Sequence, residues 1–343
     1  MVLVVAGQVC LDQLEYRRLD VLKNKLEKVM EEVQCKRENK ESCLVVFPEL
    51  IGAWMILCDQ PFSYSSRYSV LTMFWLILKD PFKFIKLMWK NVYYRHPNHT
   101  FSGIFTRTLF QLESRRMLNQ YYSIFHDLSK NYNSWIVAGS SYFPRLDLDS
   151  SNKPQILLNN ESSLYNTSLT FNCKGDIVNI TYKTKPVQEE LEFIDSGSIS
   201  DLKSIHAPNI GNIGVLICAD SWYPECLERM KVEDNLNEKL IIAVPTFISP
   251  IEKYEKPWNG YSGSTTPSYA IGDIGTISEQ EAWRKYSLPG CVNGFTNIIG
   301  VNTCYHGIIM GMNAGGNSII CDSNSILKSS HSSNVLENVL YSF

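Results

Sequence analysis

The chain has 343 residues, 44% of them hydrophobic and 20% charged, with a formal net charge of -3. That balance excludes a disordered or fibrous chain and leaves no basic footprint for nucleic acid. The length is near two typical domains, yet one large sandwich or barrel of this size also buries roughly three quarters of its unfolded surface.

Val2 to Val9 is an apolar run of strand length. From Tyr16 to Val33, Leu19, Leu22, Leu26, Val29, Met30 and Val33 recur at three- and four-residue steps, which predicts an amphipathic helix. Leu44 to Phe47 reads as a short buried strand cut off by Pro48, which cannot donate to a ladder. A long helix is expected from Arg107 to Asn131, then a strand from Trp135 to Gly139. Short strands are expected at Gln155–Leu158, Ser168–Asn172, Ile177–Tyr182, Gly214–Ile217, Leu240–Val244, Ile298–Val301 and Ser318–Cys321. Helices and strands alternate only in part, which predicts a mixed sheet, or two stacked sheets, with helices outside. No repeat or low-complexity linker interrupts the chain, so a single domain over 1–343 with insertions is expected.

Two stretches read as insertions, at about 61–105 and 252–285. The first is dense in aromatics and lysines. Its apolar run from Val70 to Leu78 is about half of the ~20 residues a membrane span needs. Lys83, Lys86 and Lys90 share one helical side of the run that follows. A helical hairpin packed on the body is the plain reading. A lid over an apolar substrate, a membrane-surface contact and an oligomer contact are the alternatives. The second stretch has Gly, Ser, Thr and Pro in loop proportions.

Ten cysteines are present without any Cys-x-x-Cys pair, and six histidines form no metal-ligand spacing, so no metal is expected. Met1 to Gly7 lacks a basic start, and Asp12 and Glu15 follow closely, so no secretory signal is read. Reduced thiols in the cytoplasm, packing as small hydrophobes, are the expectation. Four Asn-x-Ser/Thr sequons, including Asn166, are expected by chance.

Three positions carry possible chemistry. Cys218 ends the apolar run Ile213–Ile217 at a turn, where backbone N–H groups gather around whatever the sulfur attacks. A packing cysteine is the plain alternative. Glu49 follows Pro48 at a strand tip, placed for desolvation and the raised pKa of a general base. An exposed loop glutamate would look the same. Lys183 and Lys185 end the Ile177–Tyr182 strand on one face, so periodicity leaves either as a cation beside a reacting carbonyl. Glu189 and Glu190 follow and could hold that lysine.

Taken together and in order, these pieces resemble the nitrilase, or carbon–nitrogen hydrolase, superfamily. Val46-Phe47-Pro48-Glu49-Leu50 is similar to its glutamate box, and Tyr182-Lys183-Thr184-Lys185-Pro186 to its lysine box. Ile217-Cys218-Ala219-Asp220-Ser221-Trp222-Tyr223-Pro224-Glu225 is similar to its cysteine box. Val301-Asn302 and Gly315-Gly316-Asn317-Ser318 resemble its late asparagine strand and glycine-serine turn.

The resemblance implies an α/β fold, a four-layer α-β-β-α sandwich, with Glu49, Lys183 and Cys218 as the triad. It places the catalytic lysine three residues before the proline, hence Lys183 over Lys185. Glu190 is the implied supporting glutamate, with Glu189 as fallback, and the backbone of Ala219 the second oxyanion donor. Trp222, Tyr223 and Phe247 are expected substrate-binding residues. The implied reaction is hydrolysis of a small amide, possessing no cofactor, in a homodimer or larger oligomer. Ala219-Asp220 after the cysteine resembles the amidase branch more than true nitrilases, which commonly place Trp-Glu there. An N-acyltransferase or nitrile hydrolase would use the same triad. A catalytically silent binding protein is the alternative from another class.

Overall fold

Successive strand side chains point to opposite faces, so a strand buried on both sides needs two apolar sets. The first strand, β1 (Val2–Ala6), has them: Val2, Val4 and Ala6 join one core, Leu3 and Val5 another. The computed structural model describes residues 1–38, 41–61, 69–157, 163–231, 239–248, 254–293, 295–330 and 338–343, with Ser69 and Val70 described by backbone only.

After β1 come β2 (Val9–Cys10), α1 (Leu19–Lys36), β3 (Ser42–Val46), α2 (Ser69–Lys79), α3 (Pro81–Tyr93) and α4 (Phe101–Asn131). Then follow β4 (Trp135–Val137), β5 (Ser141–Phe143), β6 (Leu146–Leu148), β7 (Pro154–Ile156), β8 (Tyr165–Phe171), β9 (Ile177–Tyr182) and α5 (Gln188–Leu191). Next are β10 (Ile205–Ala207), β11 (Gly211–Val215), α6 (Pro224–Met230), β12 (Leu240–Thr246), α7 (Glu279–Tyr286) and α8 (Leu288–Val292). The chain ends with β13 (Ile298–Ile309), β14 (Met312–Ala314), β15 (Ile319–Asp322), β16 (Ile326–Ser329) and β17 (Val339–Ser342).

Among the described residues the strands form two large sheets and a separate two-stranded one, β6-β7. The first runs β17-β1-β3-β4-β8-β5, with β9 on β8. The second runs β10-β11-β12-β13-β15-β16, with β2 and β14 on β13. In each sheet three neighbouring strands are parallel: β1, β3 and β4 in one, β11, β12 and β13 in the other. Val4, Val46 and Val137 of the first sheet meet Val215, Ala243 and Val301 of the second. The outer face of the first sheet buries Leu22 and Leu26 of α1 and Tyr121 and Phe125 of α4. The outer face of the second buries Leu227 and Met230 of α6 and Leu288 and Val292 of α8. The result is the α-β-β-α order of layers that the resemblance implied.

Several expected elements shift at their ends. The Val2–Val9 run divides at Gly7 and Gln8, and Val9 pairs with Tyr305 of the other sheet. The reason is polar: buried Gln8 accepts hydrogen bonds from Ser318 and Ser330 beneath the second sheet. The first helix starts at Leu19 instead of Tyr16, because Arg18 is extended after a short turn at Glu15–Arg17. The long helix starts at Phe101 instead of Arg107, where the Thr100 hydroxyl accepts from the Gly103 N–H at 3.0 Å. The strand expected at Gln155–Leu158 is Pro154–Ile156, and Leu158 lies outside the described residues. In the aromatic stretch 61–105, α2 and α3 pack Leu76, Met73, Ile77 and Phe84 onto the α4 side of the core.

Candidate active site

The C-terminal ends of β3 and β9 in the first sheet and of β11 and β12 in the second converge. Glu49 follows β3, Lys183 follows β9, Cys218 stands three residues after the end of β11, and Phe247 follows β12. At such tips the ladder stops and side chains face a shared crevice, so residues far apart in sequence meet.

Glu49, Lys183 and Glu190 form a buried cluster. Lys183 Nζ donates to Glu49 Oε1 at 2.7 Å and to Glu190 Oε2 at 2.5 Å. Glu49 Oε2 accepts from the Phe247 backbone N–H at 2.9 Å, and its charge acts on the Cys218 thiol. Glu190 also accepts from the Val187 N–H at 3.1 Å, which seats it at the start of α5.

Two carboxylates share one ammonium here, away from water. Burial raises the Glu49 pKa, partly offset by Lys183 and reinforced by Glu190. Burial disfavours the Lys183 ammonium, but Glu190 and Glu49 outweigh it and hold its pKa well above the usual lysine value. Burial, followed by the Glu49 charge, pushes the Cys218 thiol well up, against opposition from Lys183. Burial thus favours the protonated thiol over the thiolate.

Cys218 has a φ of 49°, in the left-handed region that costs a side-chain-bearing residue roughly 1–3 kcal/mol. The surroundings enforce it. Asp220 Oδ2 accepts from the Ile217 N–H at 3.1 Å, and the Ser221 hydroxyl donates to the Cys218 carbonyl at 2.7 Å. Asp220 Oδ1 accepts from the Thr184 N–H at 3.0 Å, the Thr184 hydroxyl at 2.9 Å and the Lys185 N–H at 2.7 Å. One buried carboxylate thus ties the lysine segment to the cysteine turn.

Gly139, after β4, holds the glutamate turn from below. Its φ is +72°, and a Cβ there would stand 2.1 Å from the Pro48 carbonyl oxygen.

Lys185 points elsewhere. It pairs with Glu225 at 2.9 Å and lies 4.5 Å from the Tyr223 ring centroid, partly in solvent. Glu189 is not in the cluster but lines the cavity in front of it.

That cavity, of about 550 Å³, opens on Cys218 and Ala219 and is lined by Trp222, Tyr223 and Phe247. Much of its remaining wall comes from 252–285, through Tyr254, Lys256, Trp258, Tyr261, Glu279 and Trp283. Residues 252 and 253 lie outside the described residues. Trp222 stacks on Trp258 with centroids 6.0 Å apart and meets Tyr261 and Trp283 edge-on, so it is both wall and core. No described residue of 61–105 lines this cavity. The packed hairpin is the reading the described residues fit, whereas the lid weighed as an alternative finds no described contact with this cavity; the second insertion supplies the aromatics.

Sequence reasoning missed Asn166, Asp220 and Tyr142. Asn166 Nδ2 donates to Glu49 Oε1 at 2.9 Å and to Glu190 Oε1 at 2.8 Å, and the Tyr142 hydroxyl lies 3.4 Å from Glu190 Oε1. Asp220 had a signal in its place two residues after the cysteine. Asn166 sits in a strand whose pattern says nothing of a site, and its sequon reading is a coincidence of Asn, Thr and Ser.

Residues 11–271 match the family described as carbon-nitrogen hydrolase. A comparison with curated proteins returns no match. Among solved structures the chain is similar to the NitN amidase from Nesterenkonia sp. AN1, at a TM-score of 0.56 and 11% identity, covering 100% of this chain and 93% of that one. It is also similar to a carbon-nitrogen hydrolase from Helicobacter pylori G27, at 0.54 and 15%, covering 99% and 87%. At these identities the solved structures speak for the fold, and the family match spans well over half of the chain. The chain belongs to the carbon-nitrogen hydrolase family.

Proposed function

We propose that this chain hydrolyses the carbon–nitrogen bond of a small non-peptide amide through a thioester on Cys218. The observation that carries the reading is the buried Glu49–Lys183 ion pair, whose charges act on the strained Cys218, itself part of the wall of one aromatic-lined cavity.

Glu49 takes the thiol proton, and the sulfur attacks the carbonyl carbon. The charge that develops on the carbonyl oxygen is met by the Lys183 ammonium and the Ala219 N–H. As the carbon–nitrogen bond breaks, Glu49 returns its proton to the departing amine, leaving an acyl group on sulfur. Water then replaces the amine: Glu49 removes one proton, oxygen attacks the thioester, and the carbon–sulfur bond breaks. The acid departs and Cys218 regains its proton. A raised Glu49 pKa suits this double duty, since the group must both accept and return a proton near neutrality.

Glu190 and Asn166 are positioning residues in this scheme, because they act through Lys183 and Glu49. Trp222, Tyr223 and Phe247 would bound the acyl or amine portion. A nucleophile that must remain a free thiol fits a reducing compartment such as the cytoplasm. Assembly into a homodimer or larger oligomer is carried over from the family resemblance.

The test is intact-mass and peptide mass spectrometry of the chain quenched during turnover of an amide library. An acyl adduct on Cys218 that disappears as substrate is exhausted is the expected result. Turnover without an adduct on Cys218, or an adduct confined to another cysteine, overturns the mechanism.

A further inference from the structure

We propose that α2 and α3 form a docking surface for an anionic phospholipid bilayer, which the protein rests on without crossing. The inference stands independently of the catalytic reading.

The two helices expose a face that no other described residue covers. In α3, Leu87 and Asn91 point into the protein, while Phe82, Ile85, Trp89, Val92 and Tyr93 form the opposite stripe. Phe82 is 85% exposed, Trp89 73% and Tyr93 81%. The preceding helix adds Leu71, Phe74, Trp75 and Leu78 on its own outer side. Isolated exposed apolar residues are ordinary, but a run of this size on two successive helices marks an interaction surface.

Charge identifies the occupant. Between residues 69 and 100 stand Lys79, Lys83, Lys86, Lys90 and Arg95, against Asp80 as the single carboxylate, in a chain whose net charge is -3. At 100° per residue, Lys83, Lys86 and Lys90 line one flank of the α3 stripe. An apolar face rich in Trp and Phe with a lysine flank matches a helix lying in the headgroup region of an anionic leaflet. Trp89 and Tyr93 are the residue types that settle at that boundary. A second copy of the chain would instead gather two sets of five cations in one seam, with only Asp80 of each to answer them.

Spanning is excluded for these segments. With 11 and 13 residues they are shorter than the ~20 that a bilayer crossing needs. Among the described residues no helix is long and apolar enough to cross a membrane.

The experiment is co-sedimentation of the full chain with phosphatidylcholine vesicles, with and without phosphatidylserine, alongside light scattering of the free protein. Binding should require phosphatidylserine, weaken with salt, and be lost in F82S/W89S. Removing Lys86 and Lys90 as K86Q/K90Q should weaken it by about five-fold per lysine. Far-ultraviolet circular dichroism identical to the parent's checks that both variants are folded; their mutated side chains lie outside the core. Lack of binding to either vesicle, unchanged binding in F82S/W89S, or equal binding to both compositions overturns the proposal. So does a free-protein mass that halves in F82S/W89S, which would give the face to a second copy.

Discussion

The side-chain amide of Asn166 lies between two carboxylates, donating to Glu49 at 2.9 Å while its other hydrogen reaches Glu190 at 2.8 Å. An amide nitrogen has two hydrogens and carries no charge, so it can bridge these groups without adding a second cation beside Lys183.

Asn166→Ala should therefore lower kcat on the order of 10²-fold with little change in KM, because the carboxylate loses its orientation. It should also move the acidic limb of the pH–kcat/KM profile upward. The lost hydrogen bond had favoured the charged form of Glu49, and without it that group protonates at higher pH. A lowered rate with an unmoved acidic limb would leave Asn166 as packing alone.

In the parent enzyme the same limb should lie above the ordinary glutamate value of 4.5, since burial raises Glu49. Activity then falls as pH drops through that raised pKa. The stability effect has its own sign: between the unfolded and folded pKa the native state holds more protons, so this group's contribution declines as pH rises through the window. Lys183 acts elsewhere on the scale. Its folded pKa is well above 10.5, so its contribution is fully present below 10.5 and lost as pH rises through the folded value. Pre-steady-state rates and thermal melts across the pH range check the two limbs separately.

Lys183→Ala should abolish turnover and destabilise by about 3–5 kcal/mol, the usual cost of leaving buried charge unpaired. Lys185→Ala removes a partly exposed pair with Glu225 and should cost no more than about 1 kcal/mol, with activity retained. Activity surviving in K183A but lost in K185A would reverse the choice between the two lysines.

At Cys218 the backbone itself can be tested. Glycine enters the left-handed region without penalty, whereas alanine does not. Both Cys218→Gly and Cys218→Ala should be inactive, but the glycine variant should be more stable than the alanine variant by about 1 kcal/mol in urea melts. Equal stabilities would mean that the φ of 49° stores no strain.

Substrate fit should answer to the second insertion. Tyr261→Ala, in the cavity wall, should raise KM by about ten-fold for an amide with an apolar portion. Phe82→Ser, on α3, should leave KM for the same soluble amide unchanged. A KM that moved with Phe82 would restore the lid.

The sequence by itself determined the alternating apolar sets of β1 and β3, the amphipathic stripe of α1 and the ordered segments around Glu49, Lys183 and Cys218. These are local patterns, and their physics is visible over a few residues. The pairing of the first sheet with the second was decided only by tertiary structure, because a strand buried on both faces does not say which neighbour covers which face. Choosing Lys183 over Lys185 from the residues alone was impossible, since both share a strand face; packing sends one to Glu49 and the other to Glu225. Asn166 was illegible as a site residue for a related reason: it acts through partners 24 and 117 residues away. The ten cysteines show the same division. Composition made them alike, and only the fold put one of them, Cys218, at a strained turn facing a carboxylate and an ammonium.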